Sequence, residues 1–248
     1  MSIVSRSFKI IWRIIKLAFT LLVAFVCIFL LWRVFSRGTP KDLELITPND
    51  KIYEAYTRAE DGELEYFTQD RLTLTTDGKF GIPNCIFIPE ANQIQLVLRY
   101  NNSTIRALAE DYSLDAVPAR TDELFDVTLL LQTDLTPDDQ DDNAGNVEGA
   151  VEYTRCHGKV VMEDTKNLYN FRRIVFDLDE CGLDLEALMD EGLLLAIYAD
   201  VYYIEDVDYD ETPYGTLFLY DYKRENHDEE ISRKEEKLIR EYGKGEIN

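Results

Sequence analysis

Hydrophobic residues divide the chain into one long apolar run near its start and many short alternating segments after it. The run, Leu17–Trp32, has sixteen residues and no charged side chain. At 1.5 Å per residue it would reach about 24 Å as a helix. Apolar residues continue on both sides, and Trp12 and Trp32 bracket the run as interfacial aromatic residues do. The pattern predicts a transmembrane helix over residues 10–35, preceded by a short basic tail over residues 1–9 and followed by a linker over residues 36–48.

The longer part of the chain alternates as half-buried strands do. In Gln93–Tyr100 every even-numbered position is apolar or aromatic, and Phe125–Gln132 has the same period on odd positions. Leu193–Ile204 is the longest apolar run outside the N-terminal one and predicts a central strand buried on both faces. Short strands with turn signals between them, and without regular βαβ alternation, predict a mostly β fold. We expect an antiparallel β-sandwich of the immunoglobulin-like class over residues 49–222.

Three other segments carry weaker patterns. Ile52–Thr57 predicts a short strand that carries tyrosines, and Ser103–Leu114 fits either a strand or a short helix. Residues 223–248 predict a charged helix, because Glu236 and Arg240 form a favourable pair four residues apart.

Charge is distributed very unevenly along the chain. The net charge is −22, but residues 1–41 hold seven Lys or Arg and no acid, which leaves −29 for residues 42–248. An acidic domain of this kind repels phosphate backbones, so nucleic acid is not an expected partner. The basic residues are slightly more numerous before the apolar run than after it, which favours a cytoplasmic N-terminus. The sequence therefore predicts a single-pass protein of the cell membrane with an extracytoplasmic C-terminal domain.

The alternative to a retained anchor is a cleaved signal peptide. Leu31–Phe35 offers no small-x-small cleavage site, which favours retention. Cys27 belongs to the apolar run, and Cys85, Cys156 and Cys181 belong to the acidic part. One disulfide is possible if the domain is exported, and three pairings remain open.

Two acidic segments supply candidate ligands for Ca²⁺. The first has the 1, 3, 5 spacing of an EF-hand loop, but Ala144 stands where the tight turn requires Gly. The second follows Leu193–Ile204, and strand alternation would place three carboxylates on one face. The alternative for both is a solvated acidic loop. The candidate metal ligands are Asp139, Asp141, Asn143, Asp206, Asp208 and Asp210.

Tyrosines are concentrated in the same region, with seven between residues 198 and 222. Tyrosine combines apolar area with a polar tip and therefore suits recognition surfaces, although cross-strand packing is the structural alternative. The candidate ligand-binding residues are Tyr202, Tyr209 and Tyr214.

An apolar strand that ends in Asp-x-Asp, Ile174–Asp179, resembles the first motif of haloacid-dehalogenase-type phosphatases. The resemblance implies a parallel α/β fold in which Asp177 is the nucleophile and Asp179 a general acid and base. The residues that follow, Glu180-Cys181-Gly182, stand where that family usually has Gly-Thr.

Three functions are compatible with these patterns. The first is a non-enzymatic, membrane-anchored module that binds a protein or glycan at the cell envelope. The second is an accessory subunit of a membrane complex, with Thr20 and Cys27 at a helix interface. The third is a cation-dependent hydrolase that uses the acidic loops.

Overall fold

The computed structural model describes residues 3–35, 38–59, 64–69, 72–134, 151–221, 228–230 and 232–247. Within these ranges, the side chains of residues 3–11, 14, 32–35, 220–221 and 228–230 are not described. The chain forms two compact units, Met1–Gly38 and Thr39–Asn248.

The first unit is one helix, α1, over Ile3–Phe35. In its described part the Thr20 hydroxyl donates to the Lys16 carbonyl oxygen at 2.9 Å. The Lys16 ammonium group lies 5.8 Å from the centre of the Trp12 ring. Among the described residues, no helix combines the length and the apolar character that crossing a membrane requires.

The second unit is built on one antiparallel sheet. Its strands run in the order β10-β1-β3-β4-β7-β6-β5-β8-β9, and β2 pairs with β3 beside this path. The strands are β1 (Glu65–Gln69), β2 (Thr73–Leu74), β3 (Phe80–Ile88), β4 (Gln93–Asn101), β5 (Phe125–Asp134), β6 (Val151–Lys166), β7 (Tyr169–Asp177), β8 (Leu194–Tyr203), β9 (Gly215–Asp221) and β10 (Asp228–Glu230).

Strand β6 makes the sheet continuous and curls it. Its first half pairs with β5 and its second half, from Gly158 onward, pairs with β7. A Cβ atom on Gly158 would lie 2.4 Å from Ile174 Cγ2 and 2.6 Å from the Phe176 ring, so only glycine fits at this crossover. The sheet curls until β9 lies beside β2 and β3, where Gly215 lies against Phe80. The mostly β, antiparallel prediction is confirmed, but the immunoglobulin-like sandwich is corrected to one curled sheet.

The main core lies inside the curl. Alternate residues of β4, β5, β7 and β8 point inward, as strand periodicity requires. Phe125 lies at its centre, with ring centroids 4.8 Å from Phe80 and 5.0 Å from Tyr100. Helix α3 (Asn102–Asp111) adds Ile105 and Leu108 to this core. Helix α4 (Leu185–Asp190) adds Leu185.

A second core covers the outer face of β3. Helices α2 (Asp50–Arg58) and α5 (Arg233–Gly243) pack there through Ile52 and Ile239, against Ile86 and Ile88. The strand predicted over Ile52–Thr57 is therefore wrong. The side chain of Asn49 accepts a hydrogen bond from the Ile52 backbone N–H at 3.1 Å and caps the helix. The helix predicted over residues 223–248 is confirmed for Arg233–Gly243, α5, whereas Asp228–Glu230 in the same range is strand β10.

The segment predicted as a linker contributes to the second unit. Leu43 and Ile46 are buried, and the guanidinium of Arg173 in β7 fixes the backbone at Leu43 and Leu45. Arg173 is fully buried; it donates to the carbonyl oxygens of Leu43 and of Leu45, the latter at 2.8 Å. Burial lowers the pKa of Arg173 to about 10. The outer face of the sheet is thus closed by a backbone segment that a buried cation holds in place.

One disulfide joins the strand at the curl to the end of β7. Cys156 in β6 bonds to Cys181, which ends the short 3₁₀ turn Leu178–Cys181, with a Cα–Cα distance of 5.6 Å. Of the three open pairings, the structure therefore has this one. Cys85 is a buried free thiol whose pKa is raised by burial, and Cys27 is free and exposed.

We expect loss of this disulfide to destabilise the second unit. The bond closes a loop of 25 residues, and a loop of that size corresponds to about 3 kcal/mol of chain entropy in the unfolded state. Chemical unfolding of the double variant Cys156→Ser, Cys181→Ser should show a loss of this size, and a reductant should have the same effect on the unmodified protein. Cys27→Ser is the matched control and should have no effect. An unfolding midpoint that a reductant leaves unchanged would contradict the disulfide.

Candidate binding site

An acidic surface is formed by the loop that joins β8 to β9, residues 204–214. It starts with a 3₁₀ turn at Ile204–Asp206 and then turns on Asp208. The Asp208 carboxylate accepts a hydrogen bond from the Asp210 backbone N–H at 2.9 Å. The backbone carbonyl oxygen of Asp208 accepts one from the Glu211 N–H at 3.1 Å. Because Asp side chains make such local bonds, they favour a turn over a continued strand. The exposed acids are Glu205, Asp206, Asp208, Asp210 and Glu211.

The predicted calcium ligands divide into two groups. Asp206, Asp208 and Asp210 lie in this loop. The prediction that they lie on one face of a strand is therefore wrong. In the part of the chain that the structure describes, no group of three or more acidic, His or Cys side chains is placed to hold a metal ion. Asp139, Asp141 and Asn143 lie outside the described residues.

Tyr209 anchors the middle of the loop to the outer face of the sheet. Its hydroxyl donates to Asp126 Oδ2 at 2.5 Å. Its ring lies edge-on to Tyr202 at 5.1 Å and to His157 at 4.7 Å, and the Arg155 guanidinium carbon is 5.7 Å from the ring centre. Burial and the carboxylate of Asp126 raise the pKa of Tyr209 to about 12. The hydroxyl therefore remains a proton donor at neutral pH.

Tyr214 anchors the end of the loop to the inner core. Its hydroxyl donates to Asp111 Oδ2 at 2.7 Å and accepts from Lys79 Nζ at 3.0 Å. Lys79 also donates to Asp111 at 2.9 Å and lies 4.2 Å from the centre of the tyrosine ring. The ring packs against Phe80 and Phe125. We call Lys79, Asp111 and Tyr214 the latch, since they join the β2–β3 turn, α3 and the loop.

The pKa values of the three latch residues favour a stable charged contact, with Tyr214 neutral, Asp111 ionised and Lys79 cationic. Burial and the hydrogen bond to Asp111 raise the pKa of Tyr214 to about 12, although Lys79 opposes the rise. Hydrogen bonds from Tyr214 and Lys79 lower the pKa of Asp111. Lys79 is held cationic, because its pKa is raised by Tyr214 and Asp111 against the effect of burial. None of these directions brings a group toward titration near neutral pH, as general acid–base chemistry would require.

The three candidate tyrosines do not share one surface. Tyr202 is only 4% exposed and pairs with Tyr209 on the outer face, whereas Tyr214 packs into the inner core. Their rings and hydroxyls are used to support the loop. The side chains that remain exposed in this loop include the carboxylates, which lie between Tyr203 and Tyr214 in the sequence.

A second polar cluster surrounds the Asp-x-Asp pair at the end of β7. The Lys51 ammonium group bridges Asp177 and Asp179, and Asn92 donates to Asp179 Oδ1 at 2.5 Å. These bonds lower the pKa of Asp179, which favours its carboxylate form over the protonated acid. The cluster borders a cleft of about 300 Å³. Because the described strands are all antiparallel, the parallel α/β fold that the phosphatase resemblance implied is not present among them.

The sequence patterns did not identify Lys51, Asn92 or Lys79 as site residues. Asn92 has a left-handed backbone, with φ of 50°, at the end of a 3₁₀ turn that begins at Pro89. An Asn directly after a turn that begins with Pro was the available signal for this position. Lys51 carries no local signal, since Asp177 and Asp179 are distant in sequence. Lys79 has one local partner, Asp77 at 3.5 Å, but Asp111 and Tyr214 are distant.

Comparisons of the chain with protein-family models, with curated proteins and with solved structures found no match.

We expect Tyr214→Phe to lower the free energy of unfolding by about 1 kcal/mol, because it removes one half-buried hydroxyl that both donates and accepts. Lys79 and Asp111 would still contact each other. Tyr153→Phe is the matched control, since Tyr153 is 57% exposed and its variant should unfold as the unmodified protein does. Equal stability of both variants would contradict the latch.

Proposed function

We propose that this protein is a non-enzymatic, single-pass membrane protein whose acidic β domain lies outside the cytoplasm and binds a partner protein. The observation that carries the membrane part of this proposal is the exposure of apolar side chains on α1. The large apolar side chains from Leu17 to Leu31 expose between 44% and 67% of their surface. Exposed apolar area of this extent marks a surface that contacts lipid or protein.

The exposure surrounds the helix and is not confined to one stripe. Ile28, Phe29, Leu30 and Leu31 are all exposed, and four consecutive residues at about 100° each cover the circumference. A helix that is apolar on every side suits a hydrophobic environment. The basic residues before Leu17 favour a cytoplasmic N-terminus.

The disulfide supports an extracytoplasmic location for the domain. Cys156 and Cys181 are bonded, and structural disulfides persist mainly in oxidising compartments. Residues on the C-terminal side of α1 would lie in such a compartment if the N-terminus is cytoplasmic.

The contacts around the loop favour a protein partner over a glycan. A glycan platform requires exposed aromatic faces, but Tyr202, Tyr209 and Tyr214 are engaged with neighbouring side chains. The exposed carboxylates suit a surface rich in Lys or Arg. The pKa directions of Tyr214 and Asp179 support a binding role, since neither group is tuned for proton transfer at neutral pH.

We expect the full-length protein to stay with membranes after alkaline carbonate extraction. The double variant Leu21→Arg, Phe25→Arg should be released, because each central Arg costs about 2.5–3.5 kcal/mol on insertion scales. The double variant Leu21→Ile, Phe25→Leu keeps the apolar character and should remain membrane-bound. Recovery of the unmodified protein in the carbonate-soluble fraction would contradict the anchor.

The same cells test orientation through protease added outside. We expect the acidic domain to be digested on intact cells. A domain that resists external protease, but is cleaved after lysis, would contradict the extracytoplasmic location while leaving the anchor intact.

A basic probe tests the acidic loop. We expect a biotinylated decalysine peptide to bind the full-length protein in mild detergent at low salt, and neutralisation of the loop to weaken binding several-fold. Asn and Gln keep the hydrogen-bond acceptors of the turn and remove the charge. The loop variant is Asp206→Asn, Asp208→Asn, Asp210→Asn, Glu211→Gln.

The matched control removes four charges elsewhere on the same domain, three at the cleft beside Asp179 and one at the end of α4. Its substitutions are Glu54→Gln, Glu90→Gln, Glu186→Gln and Asp190→Asn. If both variants lose the same affinity for the peptide, its binding depends on the net charge of the domain alone. The loop is then not the preferred binding site.

A further inference from the structure

We propose that a cluster of buried hydrogen-bond donors on the inner face of β4 and β7 binds a small oxyanion of the carboxylate or phosphate type. The donors belong to Tyr100, Asn170 and Arg172. Tyr100 and Asn170 are register partners across the two strands, and Arg172 is the next inward-facing residue of β7. We call these three residues the donor cluster.

The donor cluster is buried and incompletely paired. Tyr100, Asn170 and Arg172 are 1%, 4% and 2% exposed. The Tyr100 hydroxyl, Asn170 Nδ2 and one terminal nitrogen of Arg172, Nη1, have no hydrogen-bond partner among the described residues. Buried polar groups almost always have partners, so three such atoms in neighbouring residues require an explanation.

The surrounding contacts fix the direction in which these donors point. Arg172 donates through Nη2 to the Asp122 carbonyl oxygen at 2.8 Å and pairs through Nε with Glu163 at 3.1 Å, so that Nη1 is left over. The Asn170 side-chain oxygen accepts from Arg120 Nε at 3.1 Å and from the Thr165 hydroxyl at 3.3 Å. Because the Arg120 guanidinium can only donate, the atom that faces it is the amide oxygen, and Nδ2 points away from Arg120.

The local charge favours an anion over a neutral acceptor. Two guanidinium groups, Arg120 and Arg172, and one carboxylate, Glu163, contact the cluster directly. The Arg172 guanidinium carbon lies 5.8 Å from the Tyr100 ring centre. Burial raises the pKa of Tyr100 and the Glu163 carboxylate adds to that rise, whereas Arg172, through its charge and a hydrogen-bonding contact, and the Arg120 charge oppose it. Arg172 therefore lies beside the Tyr100 hydroxyl, although no hydrogen bond of ordinary geometry joins the two side chains. An oxyanion offers acceptor atoms only, and charge-assisted bonds to such atoms are the stronger kind.

The test measures anion binding to the full-length protein in mild detergent. Acetate and phosphate are titrated separately at fixed ionic strength, with chloride as the balancing ion, and binding is followed by calorimetry and by the shift in Tm. We expect saturable binding of at least one of the two anions. The anion whose titration saturates identifies the type of ligand, carboxylate or phosphate. Tyr100→Phe keeps the ring contacts with Phe125 and should weaken binding about tenfold, since it removes one donor to a charged ligand.

Tyr169→Phe is the matched control, because Tyr169 packs with Phe171 and Leu43 in a separate cluster and its variant should bind as the unmodified protein does. Arg172→Gln should abolish the response; if it fails to fold, the comparison of Tyr100→Phe with Tyr169→Phe still decides. A rise in Tm that does not saturate and is equal in every variant reflects general salt exclusion and would overturn the proposal. A response to neither anion would also overturn the proposal, and it would indicate that the donor cluster binds only water.

Discussion

The curl of the sheet at β6 is the constraint on which the rest of the second unit depends. A sixteen-residue strand pairs with β5 in one half and with β7 in the other, and Gly158 allows the inner side chains of β7 to approach its backbone. This crossover brings β9 back beside β2 and β3. The latch follows from it, since Tyr214 can reach Lys79, 135 residues away, only in a sheet that has curled around its core. The disulfide holds the same strand at Cys156.

The few cations of the acidic domain are used to hold its own structure together. Lys51 bridges two carboxylates at the end of β7, and Lys79 joins an aspartate and a tyrosine. Arg173 is buried under the segment that precedes α2 and binds its carbonyl oxygens. These three cations therefore stabilise contacts between segments that are distant in the sequence.

Local periodicity predicted the strands, but it could not predict how they assemble. Gln93–Tyr100 and Phe125–Gln132 were recognisable because alternation is a property of consecutive residues, and both lie in observed strands, β4 and β5. The sandwich prediction failed because curling depends on how β6 pairs with two strands at once. Ile52–Thr57 has tyrosines and β-branched residues, yet the Asn49 cap and burial against Ile239 favour a helix. The acidic segment follows β8 in the chain, as its position after Leu193–Ile204 indicated, but it forms a loop and not an alternating strand. The division of its tyrosines between two faces depends on distant partners such as Asp126 and Asp111.

The acidic loop and the donor cluster should respond to salt in opposite ways. A basic partner is attracted by the net charge of −29 on residues 42–248, and screening weakens that attraction. An anion that approaches Arg172 is repelled by the same field, so screening lowers the barrier to its approach. Between 0.01 M and 0.1 M salt the Debye length falls from about 30 Å to about 10 Å. This reduces the long-range repulsion from the surface carboxylates but preserves the short contacts at the donors. The two sites are therefore separable by ionic strength alone, since the long-range field has opposite signs for their ligands.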